Sequence, residues 1–337
     1  MEVIAEIGKN FITTEQVQPE SELLSNARQL INLAADAGCQ TAKFQVHADD
    51  EIHPEFHGVA AHFNQDRKSW VKRCTFSSEF WGQIKDSCVE AGVDFLATPM
   101  SRGAAEVLDE VGVERWKIGS ADVTDFVLLD YIRDSNKPVI LSSGMSTLQE
   151  LERAYLYLKE KAEDITILHC VSEYPCPLEN LNLSTISFLR QHFPGVNVGF
   201  SDHSVGIEGS LMAASLGVEI IEKHFTKSRA AWGPDHQVSL EPHGLSELMR
   251  RLRDKDFPAF QSEVLGVHTK FVSEGEMKFR KVFRKKLFAA RDVKAGEIWE
   301  SSMFCALRHT EGESTSRYQE LLGIFATKDY GQYEAIV

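Results

Sequence analysis

Charged, imidazole and hydroxyl side chains recur in this sequence at the ends of short apolar runs. Glu6 lies in the first run, Lys43 and Gln45 in the second, and Thr98 follows the third. Lys117 and Ser120 close the fourth, Ser142 the fifth, and Ser172 and Tyr174 follow the sixth. Ser201 and His203 end the seventh run, and Glu222 and His224 the eighth. Side chains on a strand alternate between its two faces. Lys43 therefore shares a face with Gln45, Ser201 with His203, and Glu222 with His224, while Lys223 should face the opposite way. If the shared faces point to a common interior, two imidazoles meet at one rim, a setting suited to a divalent metal. The lysines, hydroxyls and glycine-flanked amides suit a phosphorylated, carboxylated substrate. A single polar residue at a strand end is ordinary, but buried unpaired charge is costly, so the joint pattern points to a site. The residues alone reach a metal-assisted enzyme acting on a small anion.

Such a rim needs strands to carry it. Eight runs rich in β-branched residues (3–7, 41–46, 94–97, 115–118, 138–142, 165–171, 196–200 and 218–223) alternate with helix-like stretches such as 20–37, 79–91, 148–161 and 207–216. Runs apolar on both faces are buried parallel strands, and the alternation implies crossover helices. Glycines 38, 92, 112 and 217 stand just past helix ends, where a left-handed residue stops the helix. Eight βα units favour a closed (β/α)8 barrel, with functional residues at the strands' C-terminal ends. An open doubly wound sheet is the alternative, but no G-x-G-x-x-G follows the first strand. The segment 51–73 is long, polar and His-rich for a βα loop, as a substrate-covering loop would be. After 245–257, expected as the last barrel helix, comes a basic stretch with Lys278, Arg280, Lys281, Arg284, Lys285 and Lys286, read as a solvated linker face, and then a small β-rich module.

The chain has 337 residues, enough for one barrel of about 250 plus a small module. A net charge of −14 argues against nucleic-acid binding. No apolar run approaches a membrane span, and the N terminus reads as a strand rather than a signal peptide. Six scattered cysteines without a C-x-x-C pair argue against a structural zinc site and for a reduced, cytoplasmic protein. Cys170 is expected to pack in the core.

These stretches resemble the sialic acid synthase family (N-acetylneuraminate and related nonulosonate synthases). The likeness rests on Ala5-Glu6-Ile7-Gly8, Lys43-Phe44-Gln45, Thr98-Pro99, Lys117-Ile118-Gly119-Ser120 and Ser142-Ser143-Gly144-Met145. It continues through His169-Cys170-Val171-Ser172-Glu173-Tyr174-Pro175, Ser201-Asp202-His203, Glu222-Lys223-His224-Phe225-Thr226 and Gly233-Pro234-Asp235-His236. Each motif is weak alone; their order and spacing over almost the whole chain are specific. The resemblance implies a TIM barrel over 1–270, a linker over 271–282 and an antifreeze-like (SAF) capping module over 283–337.

It further implies condensation of phosphoenolpyruvate with N-acetylmannosamine or a related open-chain amino sugar, releasing phosphate. His203 and His224 would hold a divalent metal, manganese first, with magnesium or cobalt as alternatives. Lys43, Thr98, Lys117, Ser120 and Ser201 would hold phosphoenolpyruvate. Gln45, Tyr174 and Asp235 would meet the sugar, Ser142 and Ser172 would also bind substrate, and Glu6, Glu222 and His203 would stand at the reacting centre. Arg308 would reach the sugar's N-acyl group, in trans, from a module exchanged across a homodimer. The sequence departs from the family's usual pattern at Lys9-Asn10-Phe11, His47, Asp122, Ser172 and the 51–73 loop. These departures bear on the sugar, leaving legionaminic-type, pseudaminic-type and 9-phosphate products open. Other readings are a Schiff-base aldolase using Lys117 or Lys223, and a non-catalytic sugar-phosphate-binding relative.

Overall fold

The computed structural model describes residues 1–60, 63–259 and 262–336. Eight parallel strands form one sheet: β1 (Glu2–Gly8), β2 (Thr41–Val46), β3 (Asp94–Pro99), β4 (Trp116–Ile118), β5 (Val139–Ser142), β6 (Ile165–Cys170), β7 (Asn197–Asp202) and β8 (Ile220–His224). Their order is β3-β2-β1-β8-β7-β6-β5-β4, and the two end strands pack against one another, wrapping the sheet into a barrel. Helices follow the strands: α1 (Glu20–Ala37), α2 (Ser78–Ala91), α3 (Arg102–Val111), α4 (Phe126–Asp134), α5 (Leu148–Lys159), α6 (Ser184–His192), α7 (Glu208–Ser215) and α8 (Pro242–Asp254). The fold is therefore the expected α/β barrel. Gly38, Gly92 and Gly112 end α1, α2 and α3 with left-handed backbones (φ 95°, 72° and 76°). The strands run to their polar ends further than the apolar pattern showed: β3 includes Thr98, β7 includes Asp202 and β8 includes His224.

The barrel interior is built in layers. Ile4, Leu96, Ile140, Leu168 and Ile220 form a small buried cluster separate from the main core. Two residues further along each strand stand Glu6, Thr98, Ser142, Cys170 and Glu222, all lining the cavity at the barrel mouth. The two-residue period thus sets a polar floor directly over an apolar plug. Cys170 belongs to that floor, which corrects its assignment to core packing: on β6 it shares parity with Leu168 and so points inward.

Past α8 the basic stretch is not a solvated face. It forms α9 (Glu274–Phe283), opened by a capping box of Ser273 and Glu276. Arg280 pairs with Glu150 at 2.5 Å. Arg284 donates to the carbonyls of Ala121 (3.1 Å) and Met145 (2.9 Å), and the buried Lys285 lies 3.0 Å from Asp122 and 2.8 Å from Asp125. Only Lys278 and Lys281 of the helix's cations are exposed. α9 carries Phe279 and Phe283, four residues apart and so on one helical face, to the cavity wall.

The C-terminal module pairs β9 (Lys286–Ala289) antiparallel with β10 (Phe304–Leu307), around a core that includes Leu287, Val293, Trp299, Tyr318 and Tyr330. It is seated on the barrel of its own chain. Ile52 and Arg308 form a parallel bridge, Thr315 donates to the Thr124 carbonyl (2.6 Å) and Tyr318 to Asp130 (2.7 Å). No helix among the described residues is long and apolar enough to cross a membrane.

Candidate active site

A cavity opens at the C-terminal ends of the strands. Of the residues singled out from sequence, Glu6, Lys43, Gln45, Thr98, Lys117, Ser120, Ser142, Tyr174, Ser201, His203, Glu222, His224 and Asp235 line it. Ser172 and Arg308 do not. Ser172 is fully buried behind the wall, and its backbone amide donates to Glu276 (3.0 Å). Arg308 is buried, and its guanidinium pairs with Glu51 of the same chain. Lys223 turns away, as its parity requires, and pairs with Asp202 at 2.8 Å.

The floor is a network of alternating charge. Lys43 Nζ donates to Glu6 Oε2 (2.6 Å) and lies 3.4 Å from Glu222 Oε2. Lys117 Nζ donates to Ser142 Oγ (2.7 Å) and lies 3.6 Å from the same Glu222 oxygen. Ser201 Oγ donates to Glu222 Oε1 (3.0 Å), and Gln45 Nε2 to Glu6 Oε1 (2.7 Å). Burial alone would neutralise these groups, but their mutual attraction decides the outcome. Glu222 is held below the usual carboxylate range because Lys117 and Lys43 outweigh its desolvation. Lys43 is held above its usual range because Glu222 and Glu6 outweigh its own. Lys117 has less carboxylate around it, and burial lowers it.

The imidazoles of His203 and His224 stand with centroids 5.5 Å apart. His203 Nδ1 is within hydrogen-bond distance of the Val171 carbonyl (3.0 Å), which directs Nε2 elsewhere. His224 Nδ1 is buried with no partner, and burial pushes its pKa down to about 4, so the ring is neutral. Two imidazoles so disposed, beside a Glu222 oxygen that accepts no hydrogen bond, fit a divalent cation that completes its shell with water or substrate. Among the described residues no group of three or more His, Cys, Asp or Glu side chains forms a closed metal cage.

The cavity also contains residues the sequence did not single out as site members. Lys9 donates to Gln45 and lies 3.6 Å from Asp235. Its only sequence signal was the departure at Lys9-Asn10-Phe11. His47, Arg67 and Trp70 come from the 51–73 loop and the end of β2, and Asp122 from the turn after β4. Gly144 permits the close approach of the β5 turn: a Cβ there would fall 2.3 Å from Ser172 Oγ and 2.7 Å from Ser120 Oγ.

A model of the NeuB family matches residues 30–257. The chain is 34% identical to an N,N'-diacetyllegionaminic acid synthase of Campylobacter jejuni, over 97% of this chain and 99% of that protein. It is 30% identical to the human N-acetylneuraminate-9-phosphate synthase, over 89% of this chain and 81% of that one. Among solved structures, the Bacillus subtilis spore coat polysaccharide biosynthesis protein SpsE superposes with a TM-score of 0.82 and 28% identity, over 100% of this chain and 93% of that one. With the barrel, the polar floor and this likeness in agreement, the chain belongs to the NeuB family, the family of sialic acid synthases.

Proposed function

We propose that this protein condenses phosphoenolpyruvate with an open-chain 2-acylamino sugar to give a nonulosonic acid and phosphate. The observation that supports this best is the buried Lys43–Glu222–Lys117 row beside two imidazoles. Together with Glu6, which pairs with Lys43, it offers two ammonium groups to a small anion and two carboxylates to a developing positive centre.

Lys43 and Lys117, with the hydroxyls of Thr98, Ser120, Ser142 and Ser201, hold the phosphate and carboxylate of phosphoenolpyruvate by charge-assisted hydrogen bonds. Gln45, Tyr174 and Asp235 orient the sugar, so that its aldehyde carbon faces C3 of the enol. C3 attacks that carbon and the new C–C bond forms; the aldehyde oxygen takes a proton, and the enol's C2 becomes cationic. Glu222, kept ionised by the lysines, and Glu6 beside it stabilise this cation with fixed charge. Water adds to C2, releasing its proton, and the C2–O bond to phosphate breaks, leaving the ketone of the product. His203 and His224 would hold a divalent metal, manganese first, which when bound would supply Lewis-acid polarisation of a carbonyl. The relatives' names differ in sugar, so legionaminic-type, pseudaminic-type and 9-phosphate products are the variants of this reading.

A phosphate-release assay with phosphoenolpyruvate against 2-acetamido, 2,4-diacetamido and 6-phosphorylated amino sugars tests the proposal. Phosphate should appear only with a sugar present, stop on chelation and return with manganese. Release without any sugar, or full activity in a His203→Ala/His224→Ala double variant, would contradict it.

The lowered Lys117 supports one rival, an imine-forming aldolase. Borohydride with pyruvate inactivates such an enzyme and leaves the proposed synthase untouched.

A further inference from the structure

One nitrogen at the cavity wall is buried and unsatisfied. His47 is 3% exposed and lines the cavity, and among the described residues its Nε2 has no hydrogen-bond partner. Its Nδ1 lies 2.5 Å from Glu51 Oε2, and Glu51 is fully buried behind the wall. The ring edge at the cavity is therefore the one that carries Nε2. Against its own burial, Arg308 and then His47 hold the Glu51 carboxyl well below the usual carboxylate range. Burial, with Lys9 and Arg308 behind it, outweighs Glu51 and lowers the His47 pKa. A neutral ring beside an ionised carboxylate keeps its one proton on Nδ1 and donates it to Glu51. Nε2 is then a bare lone pair, able to accept a hydrogen bond and unable to donate one. Leaving it unsatisfied is costly, and a ligand that supplies the donor recovers that cost. Arg308 contacts the other Glu51 oxygen through Nη1 and keeps Nη2 unpartnered. Glu51 is thus fixed from one side and directs His47 from the other.

The position of His47 along the strand selects the donor. Lys43, Gln45 and His47 share one parity on β2 and its extension, where His47 bridges Thr75. Lys43 belongs to the floor with Glu6, and Gln45 is the next step outward. His47 is a further two residues on, roughly 6–7 Å towards the mouth. In the proposed reaction the aldehyde meets the enol at the floor, so the rest of the open-chain sugar runs outward past Gln45. Beyond the reacting carbons that chain offers hydroxyls, which are donors. A carbonyl oxygen or a phosphate dianion has no hydrogen to give the nitrogen.

We infer that His47, with its tautomer set by Glu51, accepts a hydrogen bond from a hydroxyl on the outer carbons (C4 to C6) of the open-chain amino sugar. The inference rests on the proposed reaction for its substrate class. It makes His47 a specificity-determining residue and Glu51 the positioning residue behind it.

Alditols separate this inference from the reaction, because they lack the aldehyde and cannot turn over. Titration calorimetry on the whole protein, loaded with manganese and phosphoenolpyruvate, would compare 2-acetamido and 2,4-diacetamido hexitols with analogues deoxygenated singly at the outer carbons. In wild type one deoxygenation should weaken binding roughly three- to tenfold, the effect of one neutral hydrogen bond. The same deoxygenation should cost nothing in His47→Leu, while His47→Gln, which keeps an acceptor, should restore part of the difference. Phosphoenolpyruvate affinity reports that each variant is folded, and His47→Phe replaces His47→Leu should the latter fail. A hydroxyl dependence that survives in His47→Leu, or no alditol binding in wild type, overturns the assignment. So does a 15N spectrum of histidine-labelled protein that places the His47 proton on Nε2, a shift expected only in Glu51→Gln, whose amide can donate to Nδ1. Coupling between His47 and one hydroxyl in a protein that releases no phosphate from phosphoenolpyruvate would instead refute the reaction and leave the hydroxyl site standing. Sugar-dependent phosphate release without that coupling would do the reverse.

Discussion

Lys43 is 2% exposed and sits between Glu6 and Glu222. An ammonium so placed holds two like charges together, and it is available to an arriving anion only because the carboxylates share it. Lys43→Met should therefore act mainly on the anionic substrate. The loss of charge-assisted hydrogen bonds worth about 1.5–3 kcal/mol should raise KM for phosphoenolpyruvate roughly 10- to 100-fold. The sugar's KM should move far less, and equal effects on both substrates in steady-state kinetics would contradict the assignment. The residues of the floor were legible in the sequence because strand parity fixes them. Once Leu168 is interior, Cys170 must be interior too, and only its apolar surroundings in the chain disguised it. Arg67 and Lys9 were not legible in this way. They lie outside regular strands, so no period assigns them a face, and their placement depends on a loop and a helix distant in sequence.

The elements were read more evenly than the residues. Helix stops at Gly38, Gly92 and Gly112 come from local backbone preference, which a sequence displays directly. α9 was missed because its cations look solvated until their partners are known, and Glu150, Asp122 and Asp125 precede it by more than a hundred residues. One of these contacts has a pH signature. Burial would raise the Glu150 carboxyl, but its hydrogen bonds to Arg280 and to the Thr147 amide prevail and bring it down to about 2. A depressed carboxylate stabilises the fold at pH above its unfolded value, and that stability is lost as pH falls through the folded one. Glu150→Gln keeps the capping-box geometry with Thr147 and removes the charge. The variant should melt below wild type at pH 7, with the gap closing between roughly pH 5 and pH 2. A gap in Tm that does not vary with pH would show that Glu150 acts only through packing.

At the scale of the molecule, the barrel and its cap form one unit through Arg308–Glu51, Thr315–Thr124 and Tyr318–Asp130. These contacts close within one chain, whereas the family resemblance implied a module exchanged with a partner. An exchanged dimer would use the same surfaces between two chains. Complementation distinguishes the two arrangements. A His203→Ala chain mixed with an Arg308→Ala chain, both inactive alone and shown to exchange subunits, should stay inactive if the cap serves its own barrel. An exchanged cap would return roughly a quarter of wild-type activity at equal mixing under two-fold pairing. The exchanged arrangement that the resemblance implies predicts this recovery, and no recovery despite proven exchange would contradict it.

The chemistry has its own direct test, independent of how the cap is arranged. If water adds to C2 and the C–O bond then breaks, the oxygen bridging C2 and phosphorus must leave with phosphate. Phosphoenolpyruvate carrying 18O at that bridge, turned over with an accepted amino sugar and analysed by mass spectrometry, should give labelled phosphate and an unlabelled nonulosonic acid. Label retained in the sugar acid would mean P–O cleavage and would contradict the account.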